Sequence, residues 1–547
     1  MLRLRLFLIA SVLLFSNTLA QEIPTRQDSL KGSITPERAW WNVVRYDITI
    51  EPNIRNHTLT GKNRILFEQT GKRTGEAMQI DLQAPLQIDS VLLEGEKIGQ
   101  LTKEGDAWFV NLPNLQQKIH AITVYYSGAP KESVKPPYDG GIVWAKDSLE
   151  RPWISAACQL LGGSVWYPCK DHYSEEPDHG ASLTVIVPDS MVAVANGRLT
   201  SLESKHGKSS YTWAVVNPIN NYGISFYIGN YVVLKHTYAG EKGDLDMSFW
   251  VLDYNRQKAI NHMIPEVNLT MRAFEKWFGP YPFYEDGFKM VDASYIGMEH
   301  QSAIAYGNQY RKGRYKFKNL TALDKETDRL IVHEMAHEWF GNNITMSDMA
   351  DRWVQEGFAA YGEELVMEEL FGREVGREFY ITRRKNYIKN KQPLISPYGI
   401  FRDAGPDMYF KGWAIVHMLR EIVDDDDKFK ALLREMNRRF YHQTVYSVEL
   451  ENFISEYLEI NLKPFFNQYL RHASVPVLEY RQEGDNLSYR FVADVNDFKM
   501  PVKVKGTGRD VWLRATTSWQ STSIESRDYS EELIIDPNFL IQSKNVK

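Results

Sequence analysis

The sequence predicts a multidomain α+β protein: antiparallel strands first, a helix-rich unit next, and a small β unit last. Three observations carry this. Apolar and polar residues alternate with period two from about residue 40 to 235. Long helical patterns run from about 255 to 459, and short strands return after about 471. A chain of 547 residues is also too long for one core.

The elements follow in order. Met1-Leu2-Arg3-Leu4-Arg5 is a short basic start, and Leu6 to Phe15 is an almost unbroken apolar run. Thr18-Leu19-Ala20 supplies small residues for cleavage, so residues 1–20 read as a signal peptide and the mature chain starts near Gln21. The apolar run is too short to span a bilayer comfortably, and no later segment is apolar enough. The expectation is an exported protein, periplasmic or secreted, with no transmembrane anchor after signal removal. Residues 21–235 form the first β unit. Val44, Tyr46, Ile48 and Ile50 alternate with polar neighbours, and Val192 to Ala195 ends in the turn pair Asn196-Gly197. A saddle or sandwich of antiparallel strands fits. Residues 236–470 form the middle unit, with helices expected at roughly 255–278, 322–341, 357–371, 408–423, 427–440 and 447–459. Residues 471–547 form the last β unit, opened by Val475 to Tyr480 and closed near Leu533 to Asn538. Asp424 to Asp427 reads as a solvated turn between two helices.

Composition narrows the function classes. A net charge of −6 is spread along the chain without a basic tract, which gives nucleic-acid binding no electrostatic support. Cys158 and Cys169 are the only cysteines; two sulfurs cannot close a zinc tetrahedron. They are either a disulfide or two buried thiols.

The chemistry is concentrated in His333-Glu334-Met335-Ala336-His337, with eighteen residues between His337 and Glu356. Residues i and i+4 share a helix face, so His333 and His337 present two imidazoles to one metal. Glu334 stands beside them within reach of a water without being a ligand. Glu356, in Trp353-Val354-Gln355-Glu356-Gly357-Phe358-Ala359, starts a second helix and supplies a carboxylate. Two histidines and one carboxylate leave a fourth position open, the arrangement of a catalytic zinc site with one Zn2+ per chain.

The chain resembles the gluzincin aminopeptidases of the aminopeptidase N family over nearly its whole mature length. Besides the zinc motif, it has Trp339-Phe340-Gly341-Asn342 after the second histidine and Tyr409-Phe410-Lys411-Gly412 further on. Pro168-Cys169-Lys170-Asp171 lies upstream, with Gln159 ten residues before Cys169. The resemblance implies a β-saddle domain, a thermolysin-like catalytic domain and a small β-sandwich, without the large helical C-terminal domain that many members append. It implies a more open active site, and it gives Cys169 a packing role, against a disulfide. It implies Glu334 as general base, Tyr409 as oxyanion donor, and Glu299 and Gln159 as the groups that meet a substrate's free α-ammonium. Met298 lines the pocket for the first side chain. The family's Gly-Ala-Met-Glu-Asn segment, which lies along the substrate backbone, is here Ile296-Gly297-Met298-Glu299-His300. Ile296 tolerates an extended backbone. His300 is the sharper departure; it either changes how the substrate backbone is held or adds a titrating group.

The expected partners are peptides with a free N-terminus; nothing in the sequence specifies an oligomer or the preferred first residue. Two rivals remain: a thermolysin-like endopeptidase, disfavoured by Met298-Glu299 and the Tyr409 segment, and an inactive peptide-binding relative, disfavoured because every ligand and Glu334 are present.

Overall fold

The computed structural model describes residues 24–71, 77–314, 321–505, 510–523 and 533–546. The expected signal peptide lies outside them. Among the described residues no helix is long and apolar enough to cross a membrane.

The N-terminal region is built on an eight-stranded sheet. Its centre is Trp41–Asn53, which pairs antiparallel with Thr58–Gln69 and parallel with Ala181–Pro188. Tyr46, Ile48 and Ile50 point into the core as the alternation predicts. A register shift between Val43 and Arg45 breaks the pattern, so Val43 and Val44 are both buried. A four-stranded sheet packs beside it, including Pro152–Ala157 and Phe226–Gly229. Cys158 and Cys169 are buried free thiols, not a disulfide.

A five-stranded mixed sheet begins the next region, at Tyr231. Its last strand, Gly297–Met298, is an edge, paired on one side only with Ile304–Tyr306. Helices follow at Ile264–Phe278, Arg329–Ala336, Trp353–Phe371, Arg373–Tyr387, Asp407–Val423, Asp426–Arg439, Ser447–Leu458 and Lys463–Arg471. Two of these, Arg373–Tyr387 and Lys463–Arg471, were not expected from the sequence. The helix expected over 322–341 is much shorter. Asp328 is extended and caps Leu330 and Ile331, so the helix starts at Arg329. It stops after Ala336 because the chain folds back, with the Asn342 amide bonded to the His337 carbonyl (2.9 Å). His337 keeps helical φ/ψ as the C-cap, which preserves its alignment with His333. The Asp424–Asp427 run is more than a solvated turn. Asp425 caps the following helix, and Asp426 pairs with Arg420 (2.9 Å) and Arg373 (2.7 Å).

The C-terminal strands form sheets of four and three. Their buried Leu478, Phe491, Val502 and Leu513 belong to the same apolar core as the helices. A second core fills the N-terminal region and reaches Tyr295 and Met298. Tyr295 and Met298 thus belong to one core and the histidine helix to the other, on which Ile296 also packs.

Candidate active site

The histidine helix is locked from both ends. Its cap Asp328 is itself held by Tyr306 (2.7 Å), Asn308 (2.8 Å) and His262 (2.8 Å). All eight residues of Arg329–Ala336 are buried. His333 and His337 therefore hold their rings edge-to-face, with centroids 4.9 Å apart.

Glu356, in the first turn of Trp353–Phe371, brings its Oε2 to 3.5 Å from the Nε2 of each histidine. That oxygen is buried and has no hydrogen-bond partner. An orphaned carboxylate oxygen is costly unless something else satisfies it. Two ligands on a zinc tetrahedron with bonds of about 2.0–2.1 Å stand about 3.4 Å apart, so the three donor atoms fit one zinc ion. The outer faces of the ligands are held as well. His337 Nδ1 lies 3.0 Å from the Phe340 carbonyl, which places its proton there and leaves Nε2 as the donor atom. His333 Nδ1 lies 3.2 Å from Glu363, which Arg329 holds at 2.8 Å. Burial opposes charge on Glu356, but Arg352 and the two imidazoles outweigh it and keep the carboxyl well below its usual range. Glu334 sits among the same groups without joining the triad; burial, then the nearby Glu299, lift it to about 7 against the pull of His333.

The opposite wall comes from the edge strand. Gly297 packs closely there: a Cβ would meet the Leu330 side chain at 2.7 Å and Glu334 Oε1 at 3.0 Å, so both would have to shift. Met298, Glu299 and Gln159 line the same cavity of ≈ 60 Å³ as His333, Glu334 and His337. Gln159 donates to Glu299 through Nε2, while its Oε1 accepts from Arg352 (2.8 Å).

Tyr409 comes from the first turn of Asp407–Val423. Its ring centroid lies 5.9 Å from that of His333, and its hydroxyl 3.4 Å from Arg352. Two neighbours in the sequence explain how it gets there. Gly412 lets this helix touch the Glu356 helix at Gly357; a Cβ on either glycine would fall 2.8–2.9 Å from the other's backbone. Lys411 is buried and donates to the carbonyls of His472 (3.0 Å) and Ala473 (3.1 Å). Burial lowers it to about 8.

One residue expected at the cleft is not there. His300 is fully buried behind the wall and does not line the cavity. Its Nδ1 lies 2.6 Å from the Tyr227 hydroxyl, which gives its own proton to Ala303 (2.7 Å). Burial without a charged partner drops it to about 3. His300 is a neutral core group, and it neither titrates near pH 7 nor touches the cavity.

Sequence reasoning missed Arg352. Buried, it contacts Glu356 (2.9 Å), Gln159, Tyr409 and Asp403 (3.0 Å), tying the ligand wall to the recognition wall. Its position four residues before Glu356 on one helix face was the available signal. Glu363, seven residues after Glu356, was missed likewise.

Residues 265–469 match the model of the peptidase family M1 domain. This stretch is similar to an M1 peptidase domain. The M1 match covers the histidine helix, Glu356 and Tyr409. Among curated relatives, human aminopeptidase B is 25% identical over 324 residues, covering 56% of this chain and 46% of that protein. Aminopeptidase N of Lactococcus lactis is 23% identical over 482 residues, covering 81% and 52%. The chain thus spans about half the length of these relatives. The crystal structure of an M1 zinc metallopeptidase from Deinococcus radiodurans superimposes with a TM-score of 0.65 at 19% identity, covering 80% of this chain and 95% of that one. A mutant of the same enzyme bound to a Tyr-Ser-Ala substrate gives 0.66 at 18% identity, covering 82% and 98%. These structures share the fold of this chain.

Proposed function

We propose that this chain is a zinc aminopeptidase that removes N-terminal residues from peptides outside the cytoplasm. The observation that carries the reading is the convergence of His333, His337 and Glu356, with the orphaned Glu356 oxygen facing both imidazoles. His333, His337 and Glu356 would hold a zinc ion, which would supply Lewis-acid chemistry towards the scissile carbonyl and a water molecule. Glu334 takes the proton of the attacking water and delivers it to the leaving amine; its carboxyl, lifted towards neutrality by burial, suits both transfers. The Tyr409 hydroxyl donates to the substrate's tetrahedral oxyanion.

Exopeptidase selectivity follows from Glu299. It is a buried carboxylate on the cavity wall, and a free α-ammonium is the cation that complements it. Gln159 holds Glu299 in place, and Met298 lines the pocket for the first side chain. An endopeptidase has no use for a buried carboxylate here, and an inactive relative has no use for Glu334. The signal-peptide pattern of residues 1–20 supports export to the periplasm or beyond.

The test is a panel of aminoacyl reporters and peptides, with and without a chelator. Hydrolysis from the N-terminus that is lost on chelation and restored by zinc is the expected result. Internal cleavage, or cleavage of N-acetylated peptides at the same rate, refutes it.

A further inference from the structure

The small cavity at the histidines does not end the site. Tyr138, Ile296 and Arg314 line both it and a much larger groove of ≈ 1020 Å³. That volume lies at the top of the roughly 300–1,000 Å³ of ligand pockets. The direction of the edge strand says what reaches the groove. Glu299 meets the α-ammonium, so a substrate laid antiparallel along the strand runs from Glu299 past Met298 and Gly297 to Ile296. The residues after the scissile bond then enter the larger groove.

The charges there are one-sided. Among the described residues, Lys135, Lys258, Arg311 and Arg314 line it, against a single lining carboxylate, Asp292. Asp292 is buried and already accepts from Tyr310 (2.6 Å), Asn255 (2.9 Å) and the Leu252 amide (3.0 Å). The acids next to the groove are also committed. Asp253 is held by both terminal nitrogens of Arg151, and Asp139 accepts from the amides of Val134 (2.7 Å) and Lys135 (2.8 Å). Lys258 donates to the neutral side-chain oxygen of Asn255 (3.1 Å). Tyr138, Trp153 and Tyr254 add aromatic surface between the cations.

We propose that this groove binds the leaving part of the substrate and selects carboxylates in it, so that the enzyme favours peptides that are acidic beyond the scissile bond. The proposal rests on the aminopeptidase reading above. Cations at an open groove act through complementarity with an approaching chain, and salt weakens them. The carboxylate comes either from an Asp or Glu side chain or from the C-terminus of a short peptide.

The test is a set of pentapeptides sharing one first residue, with Glu or Lys scanned through the later positions, plus tripeptides with free or amidated C-termini. Each is measured for kcat/KM at low and high salt beside an aminoacyl reporter that has no leaving peptide. A partly exposed ion pair is worth up to about fivefold. Glu peptides are therefore expected to exceed Lys peptides by up to about fivefold at one or more positions, with the ratio shrinking at high salt. A free-acid preference confined to tripeptides assigns the groove to C-terminal carboxylates. Lys258→Glu combined with Arg311→Glu should invert the Glu-to-Lys ratio; Arg311→Gln alone, the gentler change, should lower it. Equal rates for all peptides with the reporter still hydrolysed overturn the groove proposal and leave the aminopeptidase reading intact. A reporter left uncut while peptides are cleaved internally overturns the aminopeptidase reading and this proposal with it.

Discussion

The two walls of the cleft are made in different ways. The ligand wall comes from two helices, and its three donor atoms lie within a short stretch, 333 to 356, that folds around local helix geometry. The recognition wall draws on Gln159, the edge strand at 297–299 and Tyr409, which come from three remote parts of the chain. The first wall is an intrinsic property of helix periodicity. The second exists only because two hydrophobic cores meet there, one reaching Tyr295 and Met298 and the other holding the histidine helix. The ligand wall should therefore tolerate change in its surroundings and fail through its own residues. The recognition wall should fail also through residues that never touch substrate.

The largest effect tests the ligand wall. Glu334→Ala should keep zinc, by metal analysis, and lose hydrolysis by about 10²–10⁴ in kcat; retained turnover removes Glu334 as the base. Tyr409→Phe comes next. Losing one oxyanion donor costs about 10²–10³ in kcat, with KM little moved; an effect mainly on KM refutes the assignment. Glu299→Gln probes the other wall and should cut kcat/KM roughly 30-fold or more, in line with the roughly 2–5 kcal/mol of a truncated buried charge pair, while zinc content is unchanged. Gly357→Ala is the test of indirect failure. One methyl wedged between two helix backbones should cost about 1–3 kcal/mol of stability by denaturant titration and lower kcat, though Gly357 faces no substrate.

A pH dependence that leaves both walls intact completes the series. His300 and His172 are both lowered to about 3 by burial, against 6.5 in the unfolded chain. Between those values the unfolded state binds protons that the folded state refuses. Stability is therefore full above about pH 6.5 and falls as pH drops from there towards 3, by up to roughly 1.4 kcal/mol per pH unit for each histidine. His300→Asn should make that acid limb shallower; an unchanged slope in urea midpoints between pH 7 and 5 places His300 outside the linkage.

The same contrast decides what the sequence could tell. His333, Glu334, His337 and Glu356 were legible because spacing on helices is a local code. Tyr409, Glu299 and Gln159 were reachable only through family resemblance, since nothing local brings residue 159 to residue 299. Arg352 escaped because an arginine four residues before a glutamate reads as an ordinary surface pair until its burial is known. The helix Arg373–Tyr387 escaped for a related reason. Its buried stripe is Gly376, Phe379, Tyr380 and Arg383, at helical spacing but with a glycine and an arginine in place of apolar residues. His300 was misplaced because adjacency to Glu299 in sequence says nothing about which side of a strand a ring occupies; alternate residues face opposite ways.

Lys411 carries one further consequence. Its ammonium donates to the carbonyls of His472 and Ala473, on the stretch that leads into the last strands. A molecule that loses that stretch leaves the Lys411 ammonium without these acceptors on the helix that carries Tyr409, a loss of about several kcal/mol. The placement of Tyr409 thus leans on the chain just after residue 471, and a molecule cut there is expected to lose that brace.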